Sequence, residues 1–230
     1  MRILGIIPAR GGSKGIPGKN IKLLGRQPLI RYTVDSAVNS KNLTRVVLSS
    51  EDPSIIEIAK KIGLEVPFVR PEEFSKDNTP SIEVVKHALH YFSDQGENYD
   101  AICLLQPTTP FRGDKLIDEA IGKFNMGRFD SLISVREIPL EYNPHWAFED
   151  HEGMLRIATG ENDPITRRQE LPKAYHRDGA IYLTKVEVFL NSNSLLGDKI
   201  GYIDTTGERY VNLDTPEDWK RAEEILKNKK

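Results

Sequence analysis

Ile3 to Ile7 is an uninterrupted apolar run, and it opens directly into Pro8-Ala-Arg-Gly-Gly-Ser-Lys-Gly-Ile-Pro-Gly-Lys-Asn20. A short strand with no polar alternation has to be buried on both faces, which points to a parallel sheet covered by helices. The rest of the chain keeps that rhythm at first. Pro28 to Val38 has helical spacing of apolar residues, with Leu29, Ile30, Thr33, Val34, Ala37 and Val38 on one side, and Arg45 to Ser49 is a second strand. Asp52 caps a helix that opens with Pro53 and ends at Gly63. Glu65 to Val69 reads as a short strand, Thr79-Pro80 as the start of a helix through His90, and Ala101 to Leu105 as another buried strand. A helix over about Asp114 to Phe124 and a strand over Ser131 to Val135 extend the series. The expected fold class is α/β, a mostly parallel twisted sheet flanked by helices, in one domain spanning residues 1–230.

The rhythm breaks over residues 138–177, where Pro139, Pro144, Pro164 and Pro172 accompany the aromatic residues Tyr142, Trp146 and Phe148. This stretch reads as an excursion from the sheet, serving as a lid or as a contact with a second subunit. Gly179 to Thr184 returns as a strand, Val186 to Leu190 as a short helix, and two strands come after it near Ile200 and Val211. Thr215-Pro216-Glu217-Asp218 is a capping box with proline at the first helical position, so a last helix runs from Pro216 to about Leu226. The basic tail from Lys227 to Lys230 reads as a solvated end.

Charge narrows the function. No acidic residue precedes Asp35, while Arg2, Arg10, Lys14, Lys19, Lys22, Arg26 and Arg31 all do, in a protein whose formal net charge is -2. A glycine-bearing positive loop at the end of a buried strand suits a polyphosphate, because glycine lets backbone N–H groups approach the oxygens and the cations neutralise them. The loop matches neither a Walker A sequence nor a dinucleotide-binding Gly-x-Gly-x-x-Gly. The balanced overall charge argues against nucleic acid, and no apolar run is long enough for a bilayer. The start of the sequence has no export-signal pattern, and Cys103 has no partner for a disulfide, which together fit a reducing, cytoplasmic setting.

Several stretches resemble the acylneuraminate cytidylyltransferases, or CMP-sialic acid synthetases. The first loop carries the family's form, and the likeness continues through Arg70-Pro71, Asp77 to Ser81, Gln106-Pro-Thr-Thr-Pro-Phe-Arg112, Arg168-Gln-Glu-Leu-Pro172, Gly179-Ala-Ile-Tyr182 and Asn212-Leu-Asp-Thr215. The resemblance implies a Rossmann-like nucleotidyltransferase fold, transfer of CMP from CTP to a nine-carbon 2-keto sugar acid, release of pyrophosphate, Mg²⁺ and a homodimer. Carried onto this sequence, it assigns Arg10, Lys14 and Lys19 to the triphosphate, with Lys19, Arg10 and Asp214 as the catalytic set. Asn20, Arg70 and Ser81 become nucleotide contacts, and Gln106, Arg168, Gln169 and Tyr182 sugar contacts. On the residues alone, Arg70 fits a strand-end surface arginine equally well, Ser81 fits the first turn of a helix, and Thr108 and Thr109 are better read as turn residues.

Asp214 and Asn212, two apart on an expected strand, would face the same side and supply oxygen ligands to Mg²⁺. An Asx turn or auxiliary cap is the alternative for Asp214. The family usually has aspartate at both positions, so Asn212 is a departure that bears on the number of metal ions. Asp178 stands where the family often has asparagine, and Tyr142 to Phe148 lacks a lysine found in some sialic-acid enzymes. Both differences fall where the resemblance puts the sugar: the expected acceptor is a nonulosonic, sialic-type acid, with a diamino-nonulosonic, legionaminic-type acid as an alternative. Two other readings remain: an octulosonate-type acceptor, although those enzymes usually carry Ser-Thr-Arg where this chain has Ser13-Lys-Gly15, and a non-catalytic nucleotide-binding module. His87, His90, His145 and His151 show no metal-ligand spacing.

Overall fold

The computed structural model describes residues 1–228, so the end of the basic tail lies outside the described residues. In chain order the elements are β1 (Ile3–Pro8), a minimal hairpin of β2 (Leu23–Leu24) and β3 (Gln27–Pro28), α1 (Leu29–Val38), β4 (Arg45–Ser49) and α2 (Pro53–Lys61). Next come α3 (Ser81–Ser93), β5 (Ala101–Leu104), α4 (Leu116–Met126) and β6 (Ser131–Glu137). A second hairpin, β7 (Phe148–His151) with β8 (Met154–Ile157), precedes β9 (Tyr175–Lys185), α5 (Val186–Ser192), β10 (Ile200–Asp204) and α6 (Pro216–Lys227).

Six strands form one sheet in the order β10-β6-β9-β5-β1-β4. The pairs β1/β4, β1/β5 and β10/β6 are parallel, while β9 runs antiparallel to both β5 and β6. Ile3, Leu4, Ile6 and Ile7 are all completely buried, as an apolar central strand requires. They feed two cores. Ile3 and Ile7 pack with Val34, Leu48, Ile121 and Phe124 on one face, and Leu4 and Ile6 with Val47, Val85, Phe92 and Leu104 on the other. A third cluster is smaller but functionally more telling. Ile16 from the first loop packs with Leu24, Leu29, Val211, Leu213, Trp219 and Ala222, so apolar burial draws the first loop against the segment leading into α6.

Local signals specify the helix ends. Asp52 accepts from the Ser54 and Ile55 N–H groups at the start of α2, and Thr215 and Asp218 form a reciprocal capping box at the start of α6. Two expected strands do not form. Glu65 makes only a single bridge to Val47, after which Pro67, with no N–H to donate, ends the pairing. Val211 to Asp214 has the in–out alternation of a strand, with Val211 and Leu213 buried and Asn212 and Asp214 exposed, yet among the described residues no strand pairs with it. It is tied instead to the loop after β5, where the Leu213 N–H donates to the Thr108 carbonyl at 2.9 Å. The antiparallel β9 also begins earlier than expected, at Tyr175, because residues 175–177 pair with Val135, Arg136 and Glu137 across a register shift.

Candidate active site

The first loop leaves the carboxyl end of β1, where open α/β sheets bind ligands. Its ends are tied together by Asn20, whose Nδ2 donates to the Arg10 carbonyl at 2.9 Å. Gly18, at φ +60°, turns the chain so that its carbonyl accepts from both Ile21 and Lys22. Gly15 is required for a different reason: a Cβ there would sit 2.1 Å from the Asp214 carbonyl oxygen. At that close approach Lys19 Nζ donates to the Leu213 carbonyl at 2.7 Å and lies 3.2 Å from Asp214 Oδ1. Two residues from opposite ends of the sequence thus share one cleft.

That cleft is a cavity of about 370 Å³. The first loop contributes Arg10, Lys14, Lys19 and Asn20, and Asp214 closes the opposite side. Arg70, Ser81 at the start of α3, and Gln106 beyond β5 complete the wall. Eight of the expected site residues therefore meet around one space. Four do not: Tyr182 is buried in the core beside Ile102 and Leu104, Arg168 and Gln169 lie on an exposed turn outside the cavity, and Asn212 is not in its wall, although its Nδ2 donates to Asp214 Oδ2 at 2.6 Å.

The cations are not left bare. Asp77 pairs with Arg10 Nη1 and Lys14 Nζ, each at 2.6 Å, so a carboxylate sits between two groups expected to hold phosphate. Lys14 first, with help from Arg10, holds the Asp77 carboxyl below its usual range. Removing that charge relieves a competition, so Asp77→Asn is expected to tighten the binding of inorganic tripolyphosphate by roughly two- to fivefold in a calorimetric titration, the scale of two partly exposed ion pairs.

Arg70 is only 4% exposed, which corrects the surface reading of this residue. Its Nη2 donates to Glu51 Oε2 at 2.7 Å, and Glu51 Oε1 accepts the Gly11 N–H, also at 2.7 Å. Burial pushes the Glu51 carboxyl up, but Arg70 and the Gly11 N–H outweigh it and hold the group ionised below its ordinary range. Gly11 consequently directs its N–H to the protein rather than to a ligand. Sequence reasoning missed Glu51, although its place just past the carboxyl end of β4 was a usable signal.

Asp178 turns inward. It is 4% exposed, and its carboxylate accepts from the Ala180 N–H at 2.8 Å, from Ser134 Oγ, and from Thr205 Oγ1 at 2.6 Å. Cys103 is fully buried, and burial pushes its thiol up to about 12, leaving it inert.

A family profile described as Cytidylyltransferase matches residues 4–222. The chain belongs to the cytidylyltransferase family. The enzyme is 35% identical over 227 residues to a pseudaminic acid cytidylyltransferase of Campylobacter jejuni, covering 99% of this chain and 97% of that protein. It is 32% identical to a CMP-N,N'-diacetyllegionaminic acid synthase of Legionella pneumophila, covering 98% and 97%. An N-acylneuraminate cytidylyltransferase of Escherichia coli is 29% identical, and there this chain spans 53% of the relative's length. Among solved structures, a CMP:2-keto-3-deoxy-manno-octonic acid synthetase complexed with CTP superimposes with a TM-score of 0.73 over 100% of both chains at 15% identity, which shows a common fold. No helix among the described residues of this cytidylyltransferase is long and apolar enough to cross a membrane.

Proposed function

We infer that this cytidylyltransferase transfers CMP from CTP to a nonulosonic acid, specifically a diamino-nonulosonic acid, and releases pyrophosphate. The observation that carries the reading is the meeting of Lys19 and Asp214 in the cavity that also collects Arg10, Lys14, Arg70 and Gln106. Several cations beside a polar wall suit a triphosphate next to a hydroxyl-rich acceptor. The acceptor class is supported by the two relatives named for pseudaminic and diacetyllegionaminic acids, which match over nearly their whole lengths.

In this reading Arg10 and Lys14 hold the outer phosphates after exchanging Asp77 for them. Lys19 faces the reacting phosphate. The sugar's anomeric hydroxyl attacks the α-phosphorus, its proton passes to solvent water, and the bond to pyrophosphate breaks, the electron pair leaving with pyrophosphate. Positioned cations in a partly dehydrated cleft act on charge that develops in the transition state, which is where they accelerate most. Asn20, Arg70 and Ser81 contact the nucleoside, and Gln106 bonds the sugar.

The chemistry of the donor set fits magnesium. Asp214 has an exposed carboxylate, and Asn212, whose Nδ2 donates to it, would present its amide oxygen beside it on turning the amide over; Mg²⁺ takes few protein oxygens while keeping water and phosphate ligands. When bound, the ion would neutralise the phosphates and aid departure of pyrophosphate. An amide is the weaker ligand, so Asn212→Asp is expected to lower the Mg²⁺ concentration giving half-maximal rate, read from a metal titration of pyrophosphate release. A second copy of the chain completes the proposal. Phe148, Met154 and Leu155 of the β7–β8 hairpin are exposed apolar residues suited to a subunit contact, and Arg168 and Gln169, outside the cavity of their own chain, would meet a sugar across such a contact.

The test is CTP with a panel of keto-sugar acids and pyrophosphate release as readout. Release is expected with diamino-nonulosonic acids in preference to N-acetylneuraminate and octulosonate. CTP binding with no pyrophosphate from any acceptor would reject the reading in favour of a binding module.

A further inference from the structure

Gln106 owes its place to two charged side chains that lie outside the cavity. Arg112, six residues on, donates from Nη2 to the Gln106 carbonyl at 2.6 Å, from Nε to the Ala180 carbonyl at 3.0 Å, and from Nη1 to Thr33 Oγ1 at 2.8 Å. Asp178 grips the other end of Ala180, accepting its N–H. Between them Gly179, at φ +83°, bares its backbone to the Gln106 side chain: a Cβ there would stand 3.0 Å from Gln106 Oε1 and 3.1 Å from Thr109 Oγ1. Thr109 in turn donates to the Asp178 carbonyl at 3.1 Å. The loop after β5 and the bulge in β9 are thus clamped together by opposite charges holding Ala180 by its N–H and its C=O.

We propose that Asp178 and Arg112 are positioning residues for Gln106, setting how this enzyme takes its sugar acid without touching either substrate. The inference rests on the sugar-contact reading of Gln106 given above. Two physical points support it. A buried guanidinium bonded only to neutral oxygens needs a compensating charge nearby, and burial does push Arg112 down to about 10, with Cys103 and Asp178 pulling the other way. The Asp178 carboxylate receives three donors, so its own hydrogen bonds already hold it rigid.

Asp178→Asn separates charge from hydrogen bonding. The amide oxygen can keep Ala180 and Ser134, and Thr205 Oγ1 can turn to the Val135 carbonyl, already at 3.1 Å. The expected result is a rise in the KM for the sugar acid of roughly three- to tenfold, the scale of a lost hydrogen bond, with the KM for CTP unchanged. In a Gln106→Ala background the same substitution should have no further effect on the sugar KM, because it acts through Gln106. Equal effects in both backgrounds, equal effects on both KM values, or a fall in kcat alone would overturn the proposal. Thr205→Val, which removes one donor to Asp178, carries the same test if Asp178→Asn does not fold. A readout independent of the acceptor keeps this separate from the functional reading: the Gln106 side-chain amide resonance, identified by its loss in Gln106→Ala, should shift or broaden in Asp178→Asn. An unchanged resonance would overturn the positioning role given to the Asp178 charge even if the enzyme turns over its acceptor, whereas wild-type inactivity with every sugar acid would overturn only the acceptor assignment.

Discussion

Lys19→Ala is expected to lower kcat by about 100- to 1,000-fold while leaving the KM for the sugar acid nearly unchanged, the effect of deleting one preorganised positive donor at a reacting centre. The ammonium is well placed for that role. Its side chain is 13% exposed, it is held by the Leu213 carbonyl and by Asp214, and it shares the cavity with Arg10 and Arg70. Burst and steady-state measurement of pyrophosphate release separates chemistry from product departure. Turnover within a few-fold of wild type would take Lys19 out of the catalytic set. Its loss should leave thermal stability almost intact, since the Asp214 partner is itself largely exposed and solvent screens the pair.

Glu51→Ala should cost stability as well as function. Arg70 would be left 4% exposed with no counter-charge, and breaking an ion pair this deeply placed typically costs about 3 kcal/mol or more. For a chain of this size that is a fall in Tm of roughly 6–12 °C, measurable by calorimetry. The Gly11 N–H would also lose its acceptor, so the first loop should loosen and the KM for CTP should rise. A lower Tm with an unchanged KM would make Glu51 structural only. Acid should mimic the substitution in the native enzyme. The folded carboxyl is held below its ordinary range, so its contribution is fully present above that range and is lost as pH falls through the folded value. Glu51→Gln should flatten that part of the stability–pH curve.

The contrast between Arg70 and Asp178 shows what the sequence could and could not reveal about the site. Both residues sat in recognisable stretches, and both are buried carriers of charge. Arg70 reaches the cavity wall, whereas Asp178 turns inward to Ser134, Thr205 and Ala180. Nothing local distinguishes the two cases. The direction of Asp178 follows from a bulge created where β9 pairs with β6, a strand distant in sequence. Asp77 makes the same point. The opening loop looked like a positive block, yet its Arg10 and Lys14 meet an acid from beyond Arg70.

What the chain's local order determined was the set of parts. Apolar runs such as Ile3 to Ile7, the caps at Asp52 and Thr215, and the acid-free loop from Pro8 to Asn20 depend on neighbours a few residues apart, so their physics is written in the sequence. Tertiary structure alone decided which parts touch. Ile16 and Leu213 bury together under α6, and that apolar contact is what delivers Lys19 to Asp214, sets Gly15 against the Asp214 backbone and gathers the charges of the cleft into one cavity. Contacts between segments so far apart depend on how the whole chain packs, because each side chain gains burial or a partner only once the other surface has arrived.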